Sequence, residues 1–365
     1  MKILSIDFEL VDLELTRPYQ IAYKTITKVE NVIAAVTLEN GIKGMGAANP
    51  SRQVVGDDAG DTIRVLQNWD QERLLKKDIR AFHDCLGQVH STLREHAGAR
   101  AALDIALHDA FTRWLNIPLA QFLGQKIPAL PTSITIGIKN TEETFREAEE
   151  YIGRGFRFLK IKLGKSLDED VERLIMLREK FGKSIHIRID ANQAYSPNEV
   201  LRFYKETKGL NLELIEQPLS VNDTGKLKQL PLNIRKLIAA DESLVSPEDA
   251  FQLASHPQSC GIFNIKLMKC GGIQPAGEIA ALAGITGIDL MWGCNDESMI
   301  SIAAALHSAL SWAHTRYLDL DGSLDLANDV VADAFTLKEG ILSVTGRPGL
   351  GWRDKETGAF RTAGT

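Results

Sequence analysis

From about residue 133 to residue 320 the chain alternates short apolar runs with amphipathic stretches, and the apolar runs recur about every 25 residues. Candidate strands begin near Ser133, Phe158, Ile185, Leu212, Leu237, Ile262, Ile288 and Arg316. Helical spacing fills the intervals, as in Glu142 to Ile152, Glu169 to Phe181 and Pro247 to Ala254. Repeated strand-helix units with right-handed crossovers make either a doubly wound sheet or a closed barrel, and eight strands over roughly 190 residues favour the barrel. No glycine-rich phosphate turn or switch-point cleft argues for the open sheet.

The first third of the chain has a different pattern. Residues 2–12 and 30–38 alternate as strands, the second running into Asn40-Gly41, a hairpin signal. Between them, Arg17 to Thr25 is too long and mixed for a tight turn and is expected to be a lid-like loop. Gly44 to Pro50 reads as a third strand and loop, and Asp58 to about Asn116 as helices. In the last of these, Asp104 and His108 stand four apart and are expected to be an ordinary pair on the helix surface.

Charged residues interrupt the strand pattern at regular places. Lys160 and Lys162 alternate within Phe158-Leu-Lys-Ile-Lys-Leu163 and so share a strand face. Asp190, Glu216, Asp241 and Lys266 each end an apolar run, separated by steps of 26, 25 and 25 residues. Barrel enzymes carry their sites at the C-terminal ends of the strands, where Lys162, these four and Asp319 all fall. On a closed barrel, strands 2 and 6 with Lys162 and Lys266 lie across the mouth from each other, with the three acids on strands 3, 4 and 5 between them. Converging carboxylates repel unless they share a cation, and an all-oxygen set suits Mg²⁺. A substrate carboxylate could join that ion, which would let an adjacent C–H be deprotonated to an enediolate. Two amines on opposite faces of that carbon could remove the proton on one side and return it on the other. One lysine must then be neutral, and its pKa is expected to be lowered by desolvation, Lys160 and Mg²⁺.

Composition narrows the alternatives. The 365 residues carry a formal charge of −6 with both signs interspersed, so no basic stripe points to nucleic acid. No apolar run approaches the ~18 residues of a membrane helix, and the N-terminus lacks the apolar core of a signal peptide, so a cytoplasmic location is expected. Cys85, Cys260, Cys270 and Cys294 form no CxxC pair and suggest neither a zinc site nor a disulfide framework.

Lys160-Ile-Lys162, Asp190-Ala-Asn-Gln, Glu216-Gln-Pro, Ala240-Asp241-Glu-Ser and Asn264-Ile-Lys266-Leu-Met-Lys-Cys-Gly-Gly272 together resemble the enolase superfamily, muconate-lactonising subgroup. The likeness runs nearly end to end, including the helix around Ala99 to Leu107 and Pro348 to Gly351. It implies an enolase-like (β/α)7β TIM-type barrel with an N-terminal α+β capping domain: residues 1–125 as the cap, 126–321 as the catalytic barrel, and 322–365 as a segment returning to the cap. It also implies Asp190, Glu216 and Asp241 as Mg²⁺ ligands, Lys162 and Lys266 as the two bases, and Lys160 as a helper. A Lys or His base working with Mg²⁺ is the known chemistry of this superfamily.

Within the subgroup the chain is most like the dipeptide epimerases, because Asp319-Leu-Asp321 on strand 8 resembles the DxD motif that holds a substrate's free N-terminus. Two aspartates would repel the succinyl group of an N-acylamino acid racemase or o-succinylbenzoate synthase substrate. Those enzymes, an L-Ala-D/L-Glu epimerase and a non-enzymatic binding barrel remain the alternatives. Thr135, Cys294 and Asp296 are further candidate substrate contacts, and a homo-oligomer is expected. Ala-Glu epimerases carry an arginine in the flap where this chain has Lys24, which lacks the planar fork for a carboxylate, and Asp296 would disfavour an anionic side chain. Small or apolar C-terminal residues, as in Ala-Ala, are therefore expected.

Overall fold

The computed structural model describes residues 1–21 and 24–355, with residues 18–21, 24 and 25 traced as backbone only. Eight parallel strands follow one another around a barrel: Ile134–Ile136, Phe158–Lys162, His186–Asp190, Leu212–Glu216, Ile238–Ala240, Ile262–Ile265, Asp289–Gly293 and Thr315–Asp319. They are barrel strands 1 to 8 below. A parallel bridge between Thr132 and Leu318 and the bond from the Ser133 N–H to the Leu318 carbonyl (2.9 Å) join the last strand to the first. Each strand begins close to the place its apolar run predicts. The helices start where side chains can cap them: Asn140 and Ser196 form capping boxes with Glu143 and Glu199, and Ser246 accepts from the Asp249 N–H.

Alternation along the strands builds two layers inside the barrel. Leu214, Ala239, Ile262 and Met291, with Tyr317 against them, form an apolar cluster of their own on the floor. Two residues further along each of these strands come Glu216, Asp241, Asn264, Gly293 and Asp319. The period of two therefore places polar groups one layer above the floor, at the C-terminal rim. Outward residues such as Leu159, Ile161, Ile187, Ile189 and Ile265 join the larger core beneath the helices.

The cap is a three-stranded antiparallel sheet, Ile3–Ile21, Lys24–Leu38 and Lys43–Ala48, covered by the helix Ala97–Trp114. That helix is buried on nearly all sides, and Gly44 and Gly46 allow the contact. A Cβ on Gly46 would stand 1.9 Å from the Ala102 carbonyl oxygen, closer than any packing allows. Asp104 and His108 are consequently not a surface pair. Asp104 is completely buried and His108 is 3% exposed. The Asp104 carboxylate accepts the Ile273 N–H (2.6 Å) and meets His90 Nε2 at 2.8 Å, which ties the cap to the start of the barrel helix Ile273–Thr286.

The expected lid loop is also different. The first two strands run as one long hairpin, and residues 13–17 belong to the first strand. Leu13 and Leu15 are buried and Glu14 and Thr16 exposed, and the pairing register shifts between Glu14 and Tyr19. This irregular stretch pairs instead with the loop after barrel strand 8: the Thr16 N–H donates to the Asp325 carbonyl (2.8 Å) and the Ala327 N–H to the Glu14 carbonyl (2.7 Å). Arg17 forms an ion pair with Glu150 on the helix after strand 1. The segment after strand 8 returns to the cap, where Asp109 accepts the Leu350 N–H (2.8 Å) and the Trp352 indole N–H (2.7 Å). The four cysteines are free, and among the described residues no helix is long and apolar enough to cross a membrane.

Candidate active site

The ends of strands 2, 3 and 4 are in register, with Lys162 opposite Asp190 and Asp190 opposite Glu216. Asp241 follows strand 5 directly and Lys266 follows strand 6. The three acids expected to bind a metal thus occupy one level of the rim on adjacent strands. Asp190, Glu216 and Asp241 are 4, 0 and 5% exposed. Burial makes charge expensive there, so the lysines decide how each carboxylate sits.

Lys160 is the hub. Its Nζ lies 2.8 Å from Asp319, 2.8 Å from Glu216 and 3.4 Å from Asp190. Burial opposes its charge, but Asp319, Glu216 and Asp190 hold it well above its ordinary pKa. On strand 6, Lys266 donates to Asp241 Oδ2 at 2.8 Å, and Lys269 bonds the other oxygen of the same carboxylate. Burial works against ionisation of Asp241, yet Lys266, Lys269 and Lys160 together keep it well below the usual carboxylate range. Of the expected causes, burial and Lys160 do lower the Lys266 pKa, but Asp241 and Glu216 together raise it above its ordinary value. Lys162 differs from Lys266 in that it has no ion-pair partner among the described residues.

Glu216 is the least compensated acid. Burial and the neighbouring Asp190, Asp241 and Asp319 push its carboxyl up to about 8 against the pull of Lys160. Its Oε2 makes no hydrogen bond despite the nearby ammonium, while Oε1 accepts from Asn264 Nδ2 at 2.9 Å. Crowded, buried carboxylates that cannot all ionise fit a hard divalent cation with oxygen ligands. The carboxylates are turned onto lysine ammoniums, so no preassembled cage of three His, Cys, Asp or Glu side chains exists among the described residues. The chemistry of the donor set fits Mg²⁺; binding would require ion pairs such as Lys160–Glu216 and Lys266–Asp241 to yield.

The strand 8 acids separate in their surroundings. Asp319 is held by Lys160 and by the Ser133 hydroxyl (2.7 Å), while Asp321 accepts the Thr135 N–H (2.7 Å). Burial and Asp319 raise the Asp321 carboxyl to about 7. Thr135 thus contributes its main chain. Cys294 donates to the Asp319 carbonyl (3.2 Å) and accepts the Gly322 N–H (3.3 Å), which makes it a brace between strand 7 and the strand 8 loop. Asp296 is partly buried on the strand 7 loop, close enough to Asp325 to raise its pKa, burial being the larger cause. Glu147 acts on Asp325 in the same direction, and Arg17 and Arg154 against it. The loops after strands 7 and 8 therefore carry neighbouring acids, Asp296 and Asp325. The Lys24 side chain lies outside the described residues.

Three supporting residues carried no role in the sequence reading. Asn264 holds Glu216, Ser133 holds Asp319, and Gln217, at a φ of +33°, accepts the Asp241 and Ser243 N–H groups (3.0 and 3.1 Å) with its amide oxygen. Each is polar at a position that strand alternation turns inward or that directly follows a rim acid, and that was the available signal.

Residues 143–357 match the enolase C-terminal domain-like family and residues 5–124 the mandelate racemase / muconate lactonizing enzyme N-terminal domain. An L-Lys-D/L-Arg epimerase of Desulforapulum autotrophicum is 51% identical over 96% of this chain and 99% of its own length. The L-Ala-D/L-Glu epimerase of Bacillus subtilis is 34% identical, covering 96% of each chain. The crystal structure of a dipeptide epimerase from Methylococcus capsulatus complexed with Mg and the dipeptide L-Arg-D-Lys superposes with a TM-score of 0.94 at 48% identity, covering 96% of this chain and 99% of that one. With both family models and these relatives matching along almost its whole length, the chain belongs to the mandelate racemase / muconate lactonizing enzyme family of the enolase superfamily.

Proposed function

We propose that this chain is a Mg²⁺-dependent dipeptide epimerase that inverts the Cα of the C-terminal residue, and that its substrates carry cationic side chains. The observation that carries the reaction is the placement of Lys162 and Lys266 on strands four apart in a closed barrel, on either side of three buried rim acids. Asp190, Glu216 and Asp241 would hold the ion. Bound there, Mg²⁺ supplies positive charge for a substrate carboxylate and so lowers the cost of deprotonating the neighbouring carbon. Lys162 takes the proton from one face and Lys266 returns one to the other, or the reverse. Lys160 fixes Glu216 and Asp319 relative to one another, and Asp321, with Asp319 beneath it, receives the substrate ammonium.

The side-chain preference rests on the mouth. Asp296 and Asp325 bring acids to the loops after strands 7 and 8; burial makes the charge of Asp325 costly, and a substrate cation would favour it. The names of the relatives at 51 and 48% identity, both L-Lys-D/L-Arg epimerases, support the same choice. This reading takes the place of the small or apolar preference expected from Lys24. The test is kcat/KM for L-Lys-L-Arg, L-Ala-L-Ala and L-Ala-L-Glu. At least a tenfold advantage for the first, about 1.4 kcal/mol in transition-state binding, is expected. Equal or faster turnover of either rival would refute the cationic preference, and no epimerisation of any of them would refute the reaction.

A further inference from the structure

Three residues beyond Lys266, in the short helix Leu267–Cys270, a second lysine is buried at 5% exposure. The Lys269 ammonium bonds the Asp241 carboxylate at Oδ1, the Asp241 carbonyl at 2.6 Å and the Asn264 carbonyl at 3.0 Å. An ammonium has three protons, and three acceptors take them all. Lys269 therefore has no proton placed for a substrate. Lys266 has one acceptor, Asp241 Oδ2, and a side chain that is 12% exposed. The two oxygens of one carboxylate are divided between an enclosed lysine and a lysine at the rim.

We propose that Lys269 is a positioning residue: it holds Asp241 by one carboxylate oxygen and by the main chain, so that the carboxylate keeps its place when Lys266 leaves the other oxygen to reach the substrate. The same bonds fasten the end of strand 5 to strand 6, which fixes the two elements carrying Asp241 and Lys266. Without Lys269, Lys266 becomes the cation in closest contact with a buried carboxylate, and such a pair does not part readily. Arginine could not take over, because a planar fork does not match three acceptors grouped around one nitrogen. The inference rests on the reading of Lys266 as one of two bases.

The test separates the two faces of the substrate. Wild type and Lys269→Met, with Mg²⁺ in D₂O, are given each epimer of the same dipeptide separately, and α-proton exchange is followed by NMR. In Lys269→Met the exchange of one epimer falls at least tenfold more than that of the other, and the affected epimer is the one whose exchange Lys266→Ala removes. Calorimetric Mg²⁺ binding without substrate accompanies it and is expected to change less than the affected exchange rate. Equal loss on both faces, or no loss, would overturn the proposal. If Lys269→Met does not fold, Lys269→Gln, whose amide restores two of the donors, is read in the same way. A wild type that exchanges neither epimer would instead fail the two-base reading on which this one stands.

Discussion

At the scale of single residues the site is governed by which lysine holds which acid. Lys160 spans Glu216, Asp190 and Asp319, Lys266 and Lys269 share Asp241, and Lys162 stands without an ion-pair partner among the described residues. Replacing either base, Lys162→Ala or Lys266→Ala, is expected to abolish epimerisation while one variant still exchanges solvent deuterium into a single epimer; wild-type turnover in either would reject the two-base scheme. Asp190→Asn, Glu216→Gln and Asp241→Asn should each weaken Mg²⁺ binding at least tenfold by calorimetry and remove activity. Retained affinity in any of them would remove that acid from the ligand set. These acids and bases were legible in the sequence because each ends an apolar run at a repeating step. Asn264, Ser133 and Lys269 were less so, since their importance lies in which oxygen they reach, and spacing along a strand does not specify that. The acids that raise the Lys266 pKa, Asp241 and Glu216, were hidden as its neighbours for the same reason.

Among the elements, the barrel strands were the easiest to read and the cap the hardest. Alternation places a barrel strand's rim group directly, whereas around Leu15 and Thr16 the hairpin's register shifts and the stretch pairs with the strand 8 loop, which alternation does not specify. The Arg17 to Glu150 pair that joins this hairpin to the barrel is about two-fifths exposed on both sides. An exposed pair contributes less than about 1 kcal/mol, so Arg17→Ala should raise KM no more than about fivefold and leave kcat unchanged. A loss confined to kcat would show that Arg17 acts on the chemistry. Asp104 is the opposite case, since Asp104→Ala leaves His90 and the N-terminus of the helix Ile273–Thr286 without their buried acceptor. Urea unfolding should show a loss of about 1–3 kcal/mol for each buried donor left without an acceptor. Spacing along the helix does not place Asp104 inside, because the close approach made by Gly44 and Gly46 is a property of the packed sheet and helix.

For the whole molecule, the repeat of about 25 residues made the closed barrel legible, and closure is what sets Lys162 and Lys266 on opposite sides of the rim acids. Stability should also carry a signature of the core between barrel and cap. His307 is fully buried, accepts the Ala120 N–H at 2.9 Å, and has its pKa lowered by burial to about 4. Its unfolded form takes a proton near pH 6.5 and its folded form does not, so this contribution is intact above about 6.5 and is lost as pH falls toward about 4. Between pH 7 and 5 the wild type should lose about 2 kcal/mol more than His307→Gln in unfolding free energy; parallel curves would mean that His307 is protonated in the fold. The central claim is that opposed lysines move a proton at a dipeptide's C-terminal Cα with the help of Mg²⁺. The most direct measurement is NMR of L-Lys-L-Arg incubated with the enzyme and Mg²⁺ in D₂O. Deuterium should enter that carbon as the L,D diastereomer appears, cease on chelation with EDTA and resume when Mg²⁺ is returned, whereas exchange that survives exhaustive chelation, or tight binding with no exchange at all, would contradict the account.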